Sequence, residues 1–224
     1  MRDVTNPIIY TIEATYSEMI FVELYRHASF YEKKYLEKYQ FFKQKYDSLL
    51  GISLLKMMQI NELGSSYALS HTDSGKPYFV GYSGEISISH SDGTVAVGLS
   101  TGKFGIDIES KLVNIDGSLF LSEHEQVFIQ QQTDKNLLTK LWVLKESYVK
   151  ALGCGFLLSP TMISFYRIEN EWHVNGSNFS FSLKTLPNEK ILSICSELKT
   201  DYRVIAIDEE ELLNWHVGAG TSMT

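Results

Sequence analysis

Cysteine is scarce in this chain: there are two in 224 residues, Cys154 between glycines and Cys195 in an apolar stretch. Two such thiols build no disulfide framework and do not have the spacing of a metal site, so both are read as reduced. No apolar run approaches the ~20 residues that span a bilayer, which argues against a membrane partner. Net positive charge is also lacking. Lys and Arg number 20 against 27 Asp and Glu, a formal charge of -7, whereas neutralising a phosphate backbone needs a basic surface, so no nucleic-acid partner is expected. The first ten residues carry an early acid, Asp3, and no basic region ahead of an apolar stretch, so they do not read as a secretory signal. What is present, 44% apolar and 21% charged residues, is ordinary for a globular protein, and a cytoplasmic enzyme or binding protein is the expectation.

The length admits one large domain or two of about 100 residues, either with room for a core. Apolar residues at helical spacing (Tyr31, Tyr35, Leu36 and Tyr39, then Leu49, Leu50, Leu54, Leu55 and Met58) predict one or two helices within 15–60. Lys33, Lys34, Lys38, Lys43 and Lys45 make that stretch a basic patch on an acidic chain. Ser74-Gly75-Lys76-Pro77 signals a turn. Beyond it Ile86 and Ile88 alternate with Ser87 and Ser89, and Asp92-Gly93 turns the chain into Val95–Leu99, a hairpin pattern.

Residues 191–195, a polar turn through Thr200 and Asp201, and residues 202–207 repeat this strand, turn, strand order. The repeat favours an α+β fold of two similar halves, 1–102 and 103–214, joined at Ser100 to Lys103. Residues 135–152 give the strongest helix pattern, with Leu141, Leu144, Tyr148 and Leu152 as its buried stripe and Gly153 and Gly155 as its stop. Residues 215–224, small and polar after His216, read as a frayed tail.

The chemistry gathers in two places. In Gly105-Ile106-Asp107-Ile108-Glu109 the side chains at i and i+2 of a strand share a face, so Ile106 and Ile108 bury while Asp107 and Glu109 stand together. Carboxylates that close repel unless a cation lies between them. Glu146 and Lys150, four apart on the predicted helix, put an acid beside a base. Three acids with no His or Cys companion suit a hard divalent ion, Mg²⁺ first and Mn²⁺ as its substitute, with positions open to water and phosphate. Taken singly, each pair is ordinary: a polar face of an edge strand, and a surface i, i+4 pair. His90 after an alternating strand is, by itself, a hydrogen-bonded structural histidine. Trp142 reads as helix packing and Cys154 as a spacer.

In order and spacing, Gly75-Lys76-Pro77, Ser87-Ile88-Ser89-His90-Ser91, Gly105 to Glu109 and Trp142-Val143-Leu144-Lys145-Glu146-Ser147-Tyr148-Val149-Lys150 through Gly155 resemble the Sfp-type (surfactin-type) 4'-phosphopantetheinyl transferases. The last two segments carry most of the specificity, and the likeness extends loosely over about residues 20–210. The resemblance implies a monomer of two α+β halves related by a pseudo-twofold axis, with coenzyme A in the cleft between them. It also implies a reaction: the serine hydroxyl of an apo acyl or peptidyl carrier protein attacks coenzyme A, takes the 4'-phosphopantetheine group and releases 3',5'-ADP. On the matching positions, Asp107, Glu109 and Glu146 are metal ligands. Lys150 holds the phosphates and Glu146 takes the serine proton. Ser89 and His90 meet the coenzyme A phosphates, Lys76 lies by the adenosine end, and Lys34 is one of the lysines available to the 3'-phosphate.

One position departs from the pattern. Before Leu49-Leu50-Gly51, where family members commonly carry arginine near the nucleotide, this chain has Asp47, a carboxylate that repels a phosphorylated ribose unless Lys34 or Lys45 compensates. That departure motivates an alternative: a module that binds coenzyme A or a carrier protein without turnover. Since the chain is acidic, carrier docking is expected on a local apolar or basic patch, drawn from Leu112, Val113, Ile115, Leu119, Phe120 and Leu121. The family analogy points to carriers of non-ribosomal peptide or polyketide synthesis.

Overall fold

The strands form where β-branched and apolar residues cluster, and the helices where apolar residues recur at three- and four-residue spacing. A computed structural model describes residues 6–198 and 201–221. In chain order it contains β1 (Ile8–Glu13), α1 (Glu18–Arg26), α2 (Phe30–Leu36), α3 (Phe42–Met58) with a π turn at Gln59–Leu63, β2 (Leu69–His71) and β3 (Pro77–Phe79). These are followed by β4 (Glu85–Ser91), β5 (Thr94–Ser100), β6 (Phe104–Glu109), α4 (Glu123–Gln130) and α5 (Leu137–Leu152). The chain closes with β7 (Phe165–Ile168), β8 (Glu171–Val174), β9 (Ser180–Thr185), β10 (Ile191–Ser196), β11 (Arg203–Ile207) and α6 (Glu209–Thr221).

Two sheets organise the molecule, one in the order β11-β1-β5-β4 and the other β6-β10-β9, with β2-β3 and β7-β8 as separate hairpins. The expected β4–β5 hairpin forms, with Ser91 paired to Thr94. Its two-residue turn places Asp92 at φ 41° and Gly93 at φ 83°, the left-handed backbone that an Asp-Gly pair accepts at low cost. One core lies between the first sheet and α1, α2, α3 and α6. There Ile8, Tyr10 and Ile12 of β1 meet Leu24, Leu36 and the buried run Leu49 to Met58. The opposite face of that sheet, through Ile9 and Ala96, packs on Phe104, Ile106, Ile108, Leu192 and Ile194 of the second. A third core joins α5 to Phe165, Trp172 and Val174.

Four expectations are corrected. Residues 191–196 and 203–207 are both strands, but they do not pair with each other. β10 lies between β6 and β9, while β11 crosses back to run parallel to β1, with Ile8 opposite Arg203 and Ile12 opposite Ile207. The 102/103 boundary lies in the link between β5 and β6, and the stretch up to 214 returns to the first sheet and its core, where Ile207 and Leu212 are buried. Thr200 lies outside the described residues.

Residues 215–221 are not a frayed tail but the end of α6; 222–224 lie outside the described residues. Burial explains the helix, since Trp215 packs on the first core and His216 is buried. Glu209 ties down its start by accepting hydrogen bonds from the Thr15 amide at 3.0 Å, the Thr15 hydroxyl and the Tyr46 hydroxyl at 2.7 Å. The α5 stripe is also shifted. Leu141 and Leu144 are buried, Tyr148 is half-buried and Leu152 is exposed, while Lys145, Ser147 and Val149 turn inward.

His216 makes a pH prediction. Burial, with smaller contributions from the Lys56 and His27 charges, lowers its pKa from 6.5 to about 4. The unfolded chain therefore binds the proton at a higher pH than the native one, so stability present at neutral pH falls as pH drops from about 6.5 towards 4. Urea unfolding at pH 7 and pH 5 is expected to show this loss in the native sequence and a smaller one in His216→Phe.

Candidate active site

The site is built where one face of β6 meets α5. Gly105, Asp107 and Glu109 share that face, and Ile106 and Ile108 fill the core behind it. The helix comes so close that a Cβ on Gly105 would stand 2.2 Å from the Ser147 carbonyl oxygen and 2.4 Å from the Ala151 amide nitrogen. Only glycine lets the strand and the helix approach this far, and that approach puts Lys150 Nζ 2.7 Å from Asp107 Oδ1. Gly105→Ala is expected to cost about 2 kcal/mol of stability by overpacking. It should also abolish the 107–150 contact, to be checked by thermal unfolding alongside an activity assay.

Just beyond, Gly153 takes φ +68° and caps the C-terminal end of α5, its amide bonding to the carbonyls of Val149 and Lys150. The β2–β3 turn is fastened onto this end. The Ser74 hydroxyl donates to the Gly153 carbonyl at 2.7 Å, and Lys76 Nζ reaches the Ala151 carbonyl at 3.3 Å while pairing with Glu85 at 2.5 Å. Between turn, strand and helix runs a cleft of about 520 Å³. Lys76, Glu146 and Lys150 supply its charges, and Trp142, Ile88 and Leu158 contribute to an apolar wall. Trp142 also packs edge-on against Phe120 at 4.9 Å, so it serves core and cleft together. A smaller recess of about 200 Å³ adjoins the cleft at Gly75, Pro77 and Ile88, and is bounded by Tyr35, His71 and His90.

The carboxylates sense one another. Glu146 is half-buried and its pKa is raised, first by burial, then by the charge of Asp107, with Lys150 pulling it back and Glu109 adding to the rise. Among the described residues its carboxylate has neither hydrogen bond nor ion pair. Three acids against one lysine leave an excess of negative charge, and an all-oxygen donor set of this kind suits a hard divalent ion in its chemistry. As the side chains stand, no three of the described acids and imidazoles converge on a single point, and Asp107 faces Lys150 instead.

Of the other residues singled out from the sequence, His90 is exposed beside the smaller recess. Ser89 is buried, its hydroxyl already bonded within the protein to Asp107 and to the Ile108 amide, so it is not free to meet a phosphate. Lys34 is exposed on α2 and does not line the cleft. Asp47 is buried, with Oδ1 unpartnered and Tyr16 a distant 3.4 Å from Oδ2. Burial raises its pKa, and His90, Lys190 and Lys43 hold it down. Neither Lys34 nor Lys45 pairs with it. Three lysines of the patch lie instead over tyrosine rings: Lys33 over Tyr25, Lys38 over Tyr35 and Lys43 over Tyr16. Among the docking candidates, Phe120 and Leu121 are core residues, and Leu119, Val113 and Ile115 are exposed.

Two lysines escaped the sequence reading. Lys145 is buried and paired with Glu125 beneath the site. Lys190 secures the β4–β5 turn through the carbonyls of Ser91, at 2.9 Å, and Asp92, at 2.7 Å. A lysine inside an apolar helical stretch was the available signal for the first. For the second there was none.

Comparison with known proteins bears on the same region. Residues 103–216 match the model of the 4'-phosphopantetheinyl transferase superfamily. The chain is 34% identical over 125 residues to the 4'-phosphopantetheinyl transferase gsp of Aneurinibacillus migulanus, an alignment covering 52% of this chain and 52% of that protein. The chain thus spans about half the length of this curated relative. The matched stretch runs from β6 through α5 to α6 and includes all three carboxylates and Lys150, and on that match the chain belongs to the 4'-phosphopantetheinyl transferase superfamily.

Proposed function

We propose that the protein transfers the 4'-phosphopantetheine group of coenzyme A to a serine of an apo acyl or peptidyl carrier protein, in a cleft between two α+β halves. The observation that carries this reading is the Lys150–Asp107 pair beside Glu146 on a cleft with one apolar wall. The charged groups suit a pyrophosphate and the wall suits a pantetheine arm. The carrier serine oxygen attacks the phosphorus next to pantetheine, forming a new P–O bond as the bond to 3',5'-ADP breaks. The serine proton passes to a base, for which Glu146 is placed. Lys150 holds the phosphates, and Lys76, clamped to the end of α5, closes the nucleotide side. Asp107, Glu109 and Glu146 would hold Mg²⁺ or Mn²⁺, which when bound offsets the charge that develops on the transferring phosphate. At the nucleotide end His90, whose charge acts on the buried Asp47, serves the phosphates, with Lys34 of α2 as a further cation for the 3'-phosphate.

No helix among the described residues is long and apolar enough to cross a membrane. On the family resemblance alone, the reading extends to a cytoplasmic monomer acting on carriers of peptide or polyketide assembly. The test is release of 3',5'-ADP with Mg²⁺ and coenzyme A, measured with and without apo carrier. Release only with carrier supports transfer, and release without it indicates hydrolysis. Coenzyme A binding by calorimetry with no release on any carrier indicates the binding module.

Carrier docking then falls to the exposed residues after β6. Leu119 is 73% exposed while Phe120 is 4% exposed. Leu119→Glu is expected to raise the carrier KM several-fold and leave coenzyme A binding unchanged, whereas Phe120→Glu unfolds the C-terminal core instead. Steady-state kinetics with each substrate varied separately, together with a thermal melt, checks both.

A further inference from the structure

β4 and β6 are edge strands of different sheets, and no backbone ladder joins them. Serine hydroxyls take the place of that ladder. Ser87 Oγ accepts from the Ile106 amide at 3.0 Å, Ser89 Oγ from the Ile108 amide at 3.2 Å and Ser91 Oγ from the Ser110 amide at 3.2 Å. The register advances two by two, so the strands run parallel, with Ser87 and Ser89 meeting amides of β6 and Ser91 the amide of Ser110 just past its end. These amides lie on an edge that would otherwise present unpaired donors.

A hydroxyl that accepts from an amide still has one proton to give, and its direction is then fixed. Ser89 gives it to Asp107 Oδ1 at 2.7 Å, and Ser91 gives it to Glu109 Oε1. Lys150 also lands on Asp107 Oδ1, and the Ser110 amide on Glu109 Oε1 at 2.9 Å. Among the described residues, the hydrogen bonds and the ion pair of the two carboxylates thus fall on one oxygen of each. Asp107 Oδ2 and Glu109 Oε2 keep no protein partner among the described residues, and neither does Glu146.

We propose that Ser89 and Ser91 are positioning residues. They clasp one oxygen of each strand carboxylate so that the other is presented to the cation, and they set that presentation from the opposite sheet. The proposal rests on the transferase reading and deepens it. Ser87 is the built-in control, because it makes the same kind of seam bond and touches no carboxylate.

The experiment is Mn²⁺ binding to the full chain in the presence of coenzyme A, followed by electron paramagnetic resonance, with thermal melts on every variant. Ser89→Ala and Ser91→Ala are each expected to weaken Mn²⁺ binding about tenfold, the scale seen when partners of metal ligands are removed. Ser91→Thr, which keeps the hydroxyl, restores binding close to the native level. Ser87→Ala lowers the melting temperature as the other alanine variants do and leaves Mn²⁺ affinity unchanged. If Ser87→Ala weakens Mn²⁺ as much as Ser89→Ala does, the serines act only by holding the sheets together and the positioning role is wrong. Native Mn²⁺ binding that no serine variant alters also overturns it, with the transferase reading intact. A native chain that binds no Mn²⁺ removes the metal-dependent reading itself.

Discussion

Glu125→Ala is expected to lower the unfolding free energy by about 3–5 kcal/mol, the cost of leaving one member of a buried ion pair without its partner. Lys145 and Glu125 face each other at 2.6 Å with both side chains fully buried. The ammonium gives its remaining protons to the carbonyls of Pro160, at 2.8 Å, and Ile163. The carboxylate accepts from the amides of Ser122 and Phe165, each at 2.8 Å. One ion pair therefore satisfies four backbone groups and binds the start of α4, the middle of α5 and the entry to β7. Burial pushes Lys145 below the ordinary lysine range and Glu125 draws it back up, so removing the glutamate leaves only the destabilising effect.

Lys145→Met should cost less, because Glu125 keeps two amide donors and can take up a proton. The double variant Glu125→Leu with Lys145→Met should be more stable than Glu125→Ala and less stable than the native chain, since the four backbone groups lose their partners. A fall in Tm of roughly 10 °C for Glu125→Ala is the corresponding thermal readout. An unfolding free energy within about 1 kcal/mol of native would show that the pair is not isolated from water as the structure has it. The consequence reaches function, because Lys145 directly precedes Glu146 and its anchoring fixes the rotation of α5.

The second large effect is catalytic. Asp107→Ala and Glu146→Ala are each expected to reduce phosphopantetheine transfer about a thousandfold or more, the scale of removing a group that acts on charge in the transition state. Neither should unfold the protein. Lys150, which loses its partner in Asp107→Ala, is partly exposed and can be solvated. For Glu146 the sign is worked from its raised pKa: above the ordinary carboxylate range its ionised form opposes folding, so Glu146→Gln should be at least as stable as the native chain at neutral pH. Rate measurements at limiting and at saturating Mg²⁺, beside urea unfolding, separate the two effects. A near-native rate at limiting Mg²⁺ in either alanine variant would show that the residue is not a metal ligand.

Local pattern carried much of this site. The i, i+2 spacing of Asp107 and Glu109, the i, i+4 spacing of Glu146 and Lys150, and the Asp92-Gly93 turn all follow from strand, helix and turn periodicity, and each stands where that periodicity puts it. The partner of a strand is not local information. Residues 203–207 have the alternation of a hairpin partner for β10, yet they pair with β1, some 195 residues away, where Ile205 and Ile207 join the first core and Val204 the core between the sheets. The same limit hid the serines. Periodicity makes Ser87 and Ser89 the polar side of an alternating strand and the resemblance puts Ser89 on the coenzyme A phosphates, but only the docking of a second edge turns that side into a buried seam. Lys145 was read past for a related reason, since a lysine beside a glutamate on a helix looks solvated until α4 covers it with Glu125. Asp47 was the reverse case. Its departure from the family pattern was visible, but its burial and unpartnered oxygen were not.

The most direct measurement is the intact mass of an apo carrier protein after incubation with the purified chain, coenzyme A and Mg²⁺. Addition of one phosphopantetheine group by the native chain, and none by Asp107→Ala under the same conditions, is the predicted result. Unmodified carriers throughout the panel while an established transferase modifies them in parallel, or equal modification by Asp107→Ala, would contradict it.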